Sequence, residues 1–163
     1  MKRNRIISIF LCIALVLSLV GCTSSSNPIS GQSVQVTDMT GRTVQIEGTV
    51  ERVVALSASE CEILYALGTG ERMVGRGEYC DYPKEASKLP VVQSGADTNM
   101  EQILALKPQV VLMSAMAQTD EQIAALEQAG IDVVVTDARD IQGVYNAISL
   151  VGEVVDRQEQ ASA

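Results

Sequence analysis

The chemistry open to this 163-residue chain is limited first by two residue types that it lacks, histidine and tryptophan. Without histidine there is no imidazole base for serine or cysteine catalysis and no histidine ligand for a metal ion. Without tryptophan there is no indole ring on which a nucleobase could stack. No pair of catalytic groups with an identifiable base or metal can be nominated. The sequence therefore predicts a protein that is not an enzyme and that holds no cofactor or metal of its own.

Two of the four cysteines lie in an N-terminal export signal. Lys2, Arg3 and Arg5 precede an apolar stretch at 6–20. At about 1.5 Å per residue this stretch spans about 22 Å, which is shorter than the roughly 30 Å hydrocarbon core of a bilayer. It ends in Leu-Val-Gly-Cys at 19–22, which resembles the lipobox of bacterial lipoproteins. A secretory signal is favoured over a permanent transmembrane helix.

The lipobox resemblance implies a lipid anchor. Residues 1–21 would be the cleaved signal peptide, Cys22 the site of lipid attachment and residues 22–33 a lipidated tether. Two or more acyl chains hold a protein on a bilayer durably, at ~0.8 kcal/mol per buried CH₂. We therefore predict an extracytoplasmic protein anchored to the cell membrane. The alternative is an ordinary signal peptide in which the cysteine has no role.

The mature chain is strongly acidic. Removal of residues 1–21 leaves 9 basic against 20 acidic residues, a net charge of −11 compared with −8 for the whole chain. Phosphate binding depends on clustered Lys and Arg, so nucleic acid is excluded as a partner. The remaining 142 residues are sufficient for one domain with a core of its own.

Because Cys12 leaves with the signal peptide and Cys22 would carry lipid, Cys61 and Cys80 are the cysteines left to pair. Export permits a disulfide between them, and two buried unpaired thiols fit the sequence equally well. Two sulfurs without another soft ligand do not make a zinc site.

The elements that must position the functional residues follow an α/β pattern. Alternating apolar residues at 34–36 and 43–46 flank a turn sequence and predict a β-hairpin. Nearly continuous apolar runs then predict strands that are covered on both faces, at 53–56, 73–75, 110–113 and 131–135. Helical segments separate these runs, and this alternation is typical of a parallel sheet.

The predicted helices have recognisable start signals. A capping-box spacing occurs at 59–62, an asparagine cap at Asn99 and a second capping box at 119–122. From Asp140 onward, apolar residues spaced by four, three and four predict one helix that continues through Glu159.

Two segments could contact a ligand. Ser57, Ala58 and Ser59 lie between a predicted strand and a helix N-terminus, at the carboxyl edge where open α/β sheets bind ligands. Plain helix capping is compatible with the same residues. Tyr79 and Tyr82 concentrate two of the four tyrosines in one loop. We assign ligand contact to Tyr79 and a structural role within the loop to Tyr82.

A series of short motifs follows in order along the mature chain. They are VTD at 36–38, GRTV at 41–44, RVVALSAS at 52–59, EILYALG at 62–68, YCDYP at 79–83, NMEQI at 99–103 and LKPQVV at 106–111. Together they resemble the solute-binding lipoproteins of ABC importers for cobalamin, iron-siderophores and haem. The resemblance implies two α/β lobes joined by one long helix. Residues 34–163 would be the N-terminal lobe, a three-layer Rossmann-like unit with a mostly parallel sheet, together with the start of the joining helix.

The resemblance also implies roles for individual residues. The protein would capture a metal chelate, with iron or cobalt belonging to the ligand, and deliver it to a membrane permease and its ATPase. Glu101 would dock onto arginines of the permease, although the helix dipole alone, worth ~0.3 to 1 kcal/mol, is sufficient to explain a carboxylate in a first turn. The residues that would line the ligand cleft are Ser57, Ala58, Ser59, Tyr79, Cys80 and Gly95.

The chain departs from the family pattern in two ways. Corrinoid binders of this family can carry an aromatic residue where this chain has Gly95, and no arginine or histidine set marks a siderophore or haem site. Arg76 is the nearest cation, so the ligand stays open. The second lobe is also absent, and one surface buries much less of a ligand than the roughly 70–90% typical of a closed pocket. We therefore expect a truncated chain that binds weakly or not at all by itself.

A second hypothesis is a small membrane-anchored lipoprotein that acts as an adaptor. In that case Tyr79 and Tyr82 would present a protein-binding loop instead of a ligand-binding one.

Overall fold

The computed structural model describes residues 33–116 and 119–163 of the chain. The predicted signal peptide at 1–21, the lipid attachment at Cys22 and nearly all of the 22–33 tether lie outside the described residues. In the described ranges, no helix combines the length and the apolar character needed to cross a membrane.

The predicted hairpin opens the domain. Strand β1 (Val34–Thr37) pairs antiparallel with β2 (Thr43–Ile46). Alternate residues of the two strands are buried, among them Val36, Val44 and Ile46. The alternation in the sequence therefore marks the inward face of the hairpin, as expected for strands with one exposed side.

Five parallel strands form the main sheet, in the order β5-β4-β3-β6-β7. Their bounds are β3 (Val53–Ala55), β4 (Met73–Gly77), β5 (Val91–Val92), β6 (Val110–Ser114) and β7 (Asp132–Thr136). The apolar runs of the sequence predict four of these strands. Strand β5 is missed because two residues are too few to show a hydrophobic period.

Helices cover both faces of the sheet and produce the three predicted layers. A separate hydrophobic cluster lies on each face of the sheet. The first contains residues of the hairpin, of helix α1 (Ala58–Ala66) and of the later helix α4 (Ile141–Val154). The second contains residues of α2 (Met100–Leu106) and α3 (Asp120–Gln128). Strand residues alternate between the clusters, so each run is apolar throughout.

The start of α1 differs from the prediction. The cap is Ser57 and not Ser59, because the amide of Cys61 already donates to the Ser57 carbonyl oxygen at 3.3 Å. The S-x-x-E spacing at 59–62 is therefore coincidental, since its serine lies within the first turn. The other two start signals are confirmed: Asn99 caps α2, and a reciprocal capping box at Thr119 begins α3.

The last predicted helix is interrupted, so the prediction of one continuous helix through residue 159 is wrong. Helix α4 ends before Asp156, which has a left-handed φ of 55°, and a short helix α5 (Gln158–Ala161) follows. Gly152 permits α5 to fold back on α4, since a Cβ at Gly152 would lie 2.6 Å from the Cβ of Ala161. The apolar period extends to Val155, where α4 ends, and no glycine or proline follows at 156–160 to mark the break.

Candidate functional site

The candidate site is the edge of the sheet at which the five parallel strands end. The chain runs from β3 outward through β4 to β5, and then from β6, on the other side of β3, to β7. The direction of the strand order therefore reverses between β3 and β6. In open α/β sheets the crevice for a ligand forms at this reversal, outside the carboxyl ends of the strands. The loop after β3 is thus the first place to search.

That loop leads directly into α1 and carries the predicted serines. Ser57 is half-buried and Ser59 is exposed, with their hydroxyl oxygens 3.4 Å apart. Ser57 makes no side-chain capping bond to the helix, and Ala58 begins the helix. The two hydroxyls and the first-turn amides of α1 can donate hydrogen bonds to acceptor atoms of a ligand.

The loops after β3, β4 and β5 meet around Gly77. A Cβ at Gly77 would lie 2.2 Å from the carbonyl oxygen of Leu56 and 3.1 Å from the hydroxyl of Ser94. Any larger residue at this position would push the three loops apart. The sequence prediction placed these loops at one edge, and the structure brings them into contact.

Adjacent residues of the β4 loop point in opposite directions. The Tyr79 side chain is 79% exposed, as a ligand-contacting residue requires. The Cys80 side chain is fully buried, because the turn closed by the bond from its amide to the Gly77 carbonyl at 3.2 Å directs it inward. Its thiol therefore does not line the edge, which corrects the prediction for this side chain.

Hydrogen bonds from helix α3 hold the loop at 93–96 in place. Gly95 adopts φ of 98°, a conformation that favours glycine. The side-chain amide of Gln122 on α3 donates to the carbonyl oxygens of Gly95 at 3.1 Å and Ala96 at 2.9 Å. Gly95 therefore offers only its backbone to a ligand at the edge, and its lack of a side chain leaves space there.

Two exposed apolar side chains were not predicted. Met116, just after β6, is 83% exposed, and Ile141, at the start of α4 after β7, is 76% exposed. Single exposed apolar residues are common on protein surfaces, so their position beyond the strand ends, and not their exposure alone, makes these two side chains candidates for ligand contact. The sequence analysis placed Met116 in a connection and Ile141 in the last predicted helix, and neither was named as a ligand contact.

Arg76 is not available to a ligand. Its guanidinium is buried and donates to the carbonyl oxygens of Gly77 at 3.1 Å, Glu78 at 3.3 Å and Ser87 at 3.5 Å. These bonds fix the loop after β4 from inside. The nearest cation anticipated from the sequence therefore has a structural role.

Glu101 is exposed in the first turn of α2, next to the cap at Asn99. Within residues 33–116 and 119–163, no ion pair involves Glu101. Its carboxylate is free to meet an external cation.

Three ionisable side chains, those of Glu60, Cys61 and Cys80, are buried behind the edge. The pKa of Glu60 is raised by burial, against a smaller lowering by its hydrogen bond from Thr136. Cys61 and Cys80 are free, buried thiols. In the described part of the chain, no cluster of three or more acidic or cysteine residues could hold a metal ion.

A family model described as periplasmic binding protein matches residues 53–163. The chain belongs to this family. The prediction made from the ordered motifs is thus confirmed, as is the α/β fold with its mostly parallel sheet and N-terminal hairpin.

Relatives within the periplasmic binding protein family are about twice as long. The chain is 33% identical to the uncharacterized ABC transporter substrate-binding lipoprotein YvrC of Bacillus subtilis, over 99% of this chain and 54% of that protein. It is 34% identical to the vitamin B12-binding protein of Yersinia pestis, over 68% and 40% of the two chains. The chain therefore spans about half the length of the relatives that it matches.

Solved structures give the same result. The periplasmic haem-binding protein BhuT, in complex with two haems, superposes with a TM-score of 0.64 at 32% identity, over 68% of this chain and 43% of that one. Family membership and the lipoprotein among the relatives support an extracytoplasmic location. None of these similarities tests the roles of individual site residues.

Proposed function

We propose that this protein is the substrate-binding component of an ABC importer for a metal chelate. The observation that carries the proposal is the meeting of three loops at the strand-order reversal of a periplasmic binding protein lobe, with Tyr79 projecting from it. The adaptor hypothesis accounts for the exposed tyrosines but not for the family match. The relatives' names, which include vitamin B12 binding and haem binding, support a chelate as the ligand.

The surface favours a flat, largely apolar macrocycle over an anionic siderophore. Large side chains are exposed in the segments that follow the strands, among them Tyr79, Met116 and Ile141. Arg139, in the loop after β7, is already paired with Asp137 at 2.9 Å. A corrinoid or haem ring would cover the apolar side chains, whereas a polyanion would meet little uncompensated positive charge.

Tyr79 and Tyr82 provide a matched pair of variants, since both are exposed tyrosines in one loop. We expect the full chain to bind aquocobalamin or haemin weakly, in the micromolar range or above, because one edge encloses little of a ligand. Tyr79→Ser should weaken this binding about tenfold or more, and Tyr82→Ser should leave it within about twofold. Isothermal titration calorimetry measures both affinities.

An equal loss of affinity in the two variants contradicts the role of Tyr79, and binding of a ferric siderophore alone contradicts the ligand class. No binding of any chelate at millimolar concentration contradicts the binding function.

Glu101 is proposed as a contact with the permease. Its exposed carboxylate and the acidic chain suit attraction to basic permease loops, which accelerates encounter. In vesicles that contain the cognate permease and ATPase, Glu101→Lys should reduce uptake several-fold while the chelate affinity stays unchanged. Glu153→Lys, on the exposed side of α4, is the control of equal charge change. Equal uptake by the two variants would remove Glu101 from the docking surface.

The lipid anchor at Cys22 is part of the same proposal. Replacement of Cys22 by serine should release the protein from the membrane fraction, whereas Cys12→Ser, within the cleaved signal, should not. Retention of the Cys22→Ser variant on the membrane contradicts the anchor.

A further inference from the structure

Cys61 and Cys80 meet in the folded chain although 18 residues separate them in sequence. Cys61 lies in the first turn of α1, and Cys80 lies just after β4, which pairs with β3. Both side chains are fully buried in the same hydrophobic cluster. The pairing of neighbouring parallel strands thus brings the two cysteines into the same part of the core.

Further sulfur contacts tie this pair to the candidate edge. The Cys61 sulfur lies 3.6 Å from the carbonyl oxygen of Tyr82, two residues beyond Cys80. The Cys80 sulfur lies 3.6 Å from the carbonyl oxygen of Ala55, the last residue of β3. Each cysteine therefore contacts the backbone of the segment that carries the other or leads to it, and no large rearrangement separates the sulfurs.

The two thiols are chemically unequal. The pKa of Cys61 is lowered, chiefly by its interaction with the Cys80 thiol, with a further contribution from the positive charge of Arg76. Burial and the charges of Glu60 and Glu62 oppose this effect. The pKa of Cys80 is raised by the same interaction and by burial. Cys61 is thus the better nucleophile, and Cys80 is placed to resolve a bond formed on it.

Exposed residues flank Cys80 in the loop at 78–82. Tyr79 precedes Cys80, and Tyr82, two residues after it, is 67% exposed. A displacement confined to the loop at 78–82 would expose both sulfurs to an oxidant without opening the sheet. Local openings of this kind need much less free energy than global unfolding.

We propose that Cys61 and Cys80 form a reversible disulfide that fastens the Tyr79 loop to the first turn of α1. The oxidant is an external disulfide, of a small thiol or of a dithiol oxidoreductase. The Cys61 thiolate attacks one of its sulfurs, which forms a mixed disulfide and releases one thiol. The Cys80 sulfur, after loss of its proton, then attacks Cys61 and releases the second thiol. Two protein thiols are oxidised and one external disulfide is reduced to two thiols.

The bond would fix one wall of the candidate edge. It would join the residues after β3 to those after β4 and close a loop that contains all of β4. Exported proteins encounter conditions in which such bonds persist. The inference depends on the extracytoplasmic location and not on the nature of the transported ligand.

Mass spectrometry of the full chain tests the pairing directly. The full chain carries Cys12→Ser and Cys22→Ser for this test, so that Cys61 and Cys80 are its remaining thiols. After equilibration with excess oxidised glutathione, we expect a loss of about 2 Da relative to the dithiothreitol-treated protein, as removal of two hydrogen atoms requires. Trypsin cuts after Arg72, Arg76 and Lys84, so it separates the two cysteines onto different peptides. A peptide pair joined through Cys61 and Cys80, and released by dithiothreitol, is the expected result. Full alkylation of both cysteines in the oxidised, unfolded sample would overturn the proposal, as would a persistent single glutathione adduct.

Thermal unfolding gives a second readout. Oxidation should raise Tm by roughly 5–15 °C, because the bond restricts the unfolded chain. Cys61→Ser and Cys80→Ser should each abolish this rise, and the Cys12→Ser variant, changed within the signal peptide, should keep it. An equal rise in either core variant contradicts the pairing. Chelate binding that persists while the disulfide fails to form would leave the importer proposal intact, so the two proposals fail separately.

Discussion

The hairpin turn and the first turn of α1 each bury a carboxylate, and they do so under opposite conditions. Asp38 in the turn accepts hydrogen bonds at one oxygen from the Thr40 amide at 3.0 Å, the Thr40 hydroxyl at 2.8 Å and the Arg42 amide at 2.9 Å. Its other oxygen pairs with the Arg42 guanidinium at 3.0 Å and accepts from the Val135 amide at 3.4 Å. Glu60 in α1 has one partner, the Thr136 hydroxyl, and its second oxygen has none among the described residues.

The difference shows that the local supply of donors decides what a buried carboxylate does. The tight turn places two backbone amides, a hydroxyl and a guanidinium within four residues of Asp38. The first turn of a helix offers Glu60 less, since its side chain is directed into the core. An ionised carboxylate is stabilised in the first setting and penalised in the second. Asp38 should therefore support the fold, whereas Glu60 should cost stability at neutral pH.

The largest effect is expected from Asp38→Ala. The substitution leaves the buried Val135 amide and the Arg42 amide without their acceptor and removes one partner of the Arg42 guanidinium. We expect a loss of about 3 kcal/mol or more in the free energy of unfolding, because removal of one member of a buried network leaves the others unpaired. Urea denaturation followed by circular dichroism measures it. Asp97→Ala, at an exposed aspartate, is the control and should change stability by less than about 0.5 kcal/mol. A loss below about 1 kcal/mol for Asp38→Ala would show that the turn does not depend on this network.

The same two regions show what the sequence could and could not predict. The turn was predicted because its residue types and the flanking alternation are local signals. The burial of Asp38 was not, because it depends on Val135, which lies far along the chain at the end of β7. The burial of Glu60 was not predicted either, because its partner Thr136 lies 76 residues further along the chain.

The candidate edge repeats this pattern. The loop positions of Ser57 and Tyr79 followed from strand and turn signals along the chain, whereas that of Gly95 came from the resemblance to the family. The inward direction of the Cys80 side chain depends on the turn that its amide closes at Gly77, and the exposure of Met116 depends on the packing of neighbouring elements. Residue spacing along the sequence does not predict either of these. Fold and edge were therefore predictable, whereas individual side-chain directions were not.

Glu60→Gln tests the other half of the comparison and should have an effect of intermediate size. The ordinary pKa of this carboxyl is 4.5, and burial raises it in the folded state. Below pH 4.5 both states are protonated and Glu60 costs nothing. As the pH rises toward and through the raised pKa, the unfolded state loses its proton more readily, so stability falls. We expect Glu60→Gln to be more stable than the parent chain by about 1 kcal/mol at pH 8, with the gain disappearing at pH 4.

Chemical denaturation at several pH values gives the difference between the two chains, which isolates Glu60 from the other carboxylates. Asp132 is the matched comparison, because burial, followed by the charges of Glu47 and Glu127, also raises its pKa. Asp132→Asn should show a pH dependence of the same sign and smaller size, since Asp132 is only half-buried. A gain for Glu60→Gln that is constant from pH 4 to pH 8 would contradict the ionisation argument.

The smallest effect is expected at the outer end of the Asp38 network. The Arg42 guanidinium also contacts the carboxylate of Glu127, a partly exposed residue in the last turn of α3. Solvent screens this pair, so Glu127→Gln should cost no more than about 1 kcal/mol. The cost should shrink further in 1 M salt, where the Debye length is about 3 Å. Loss of the Glu127 charge also relieves Asp132, which offsets part of the change. Urea denaturation at low and high salt measures the difference. A loss at Glu127 as large as that at Asp38 would mean that Arg42 is held from its exposed side, and that the tight turn is not the source of the stability assigned to it.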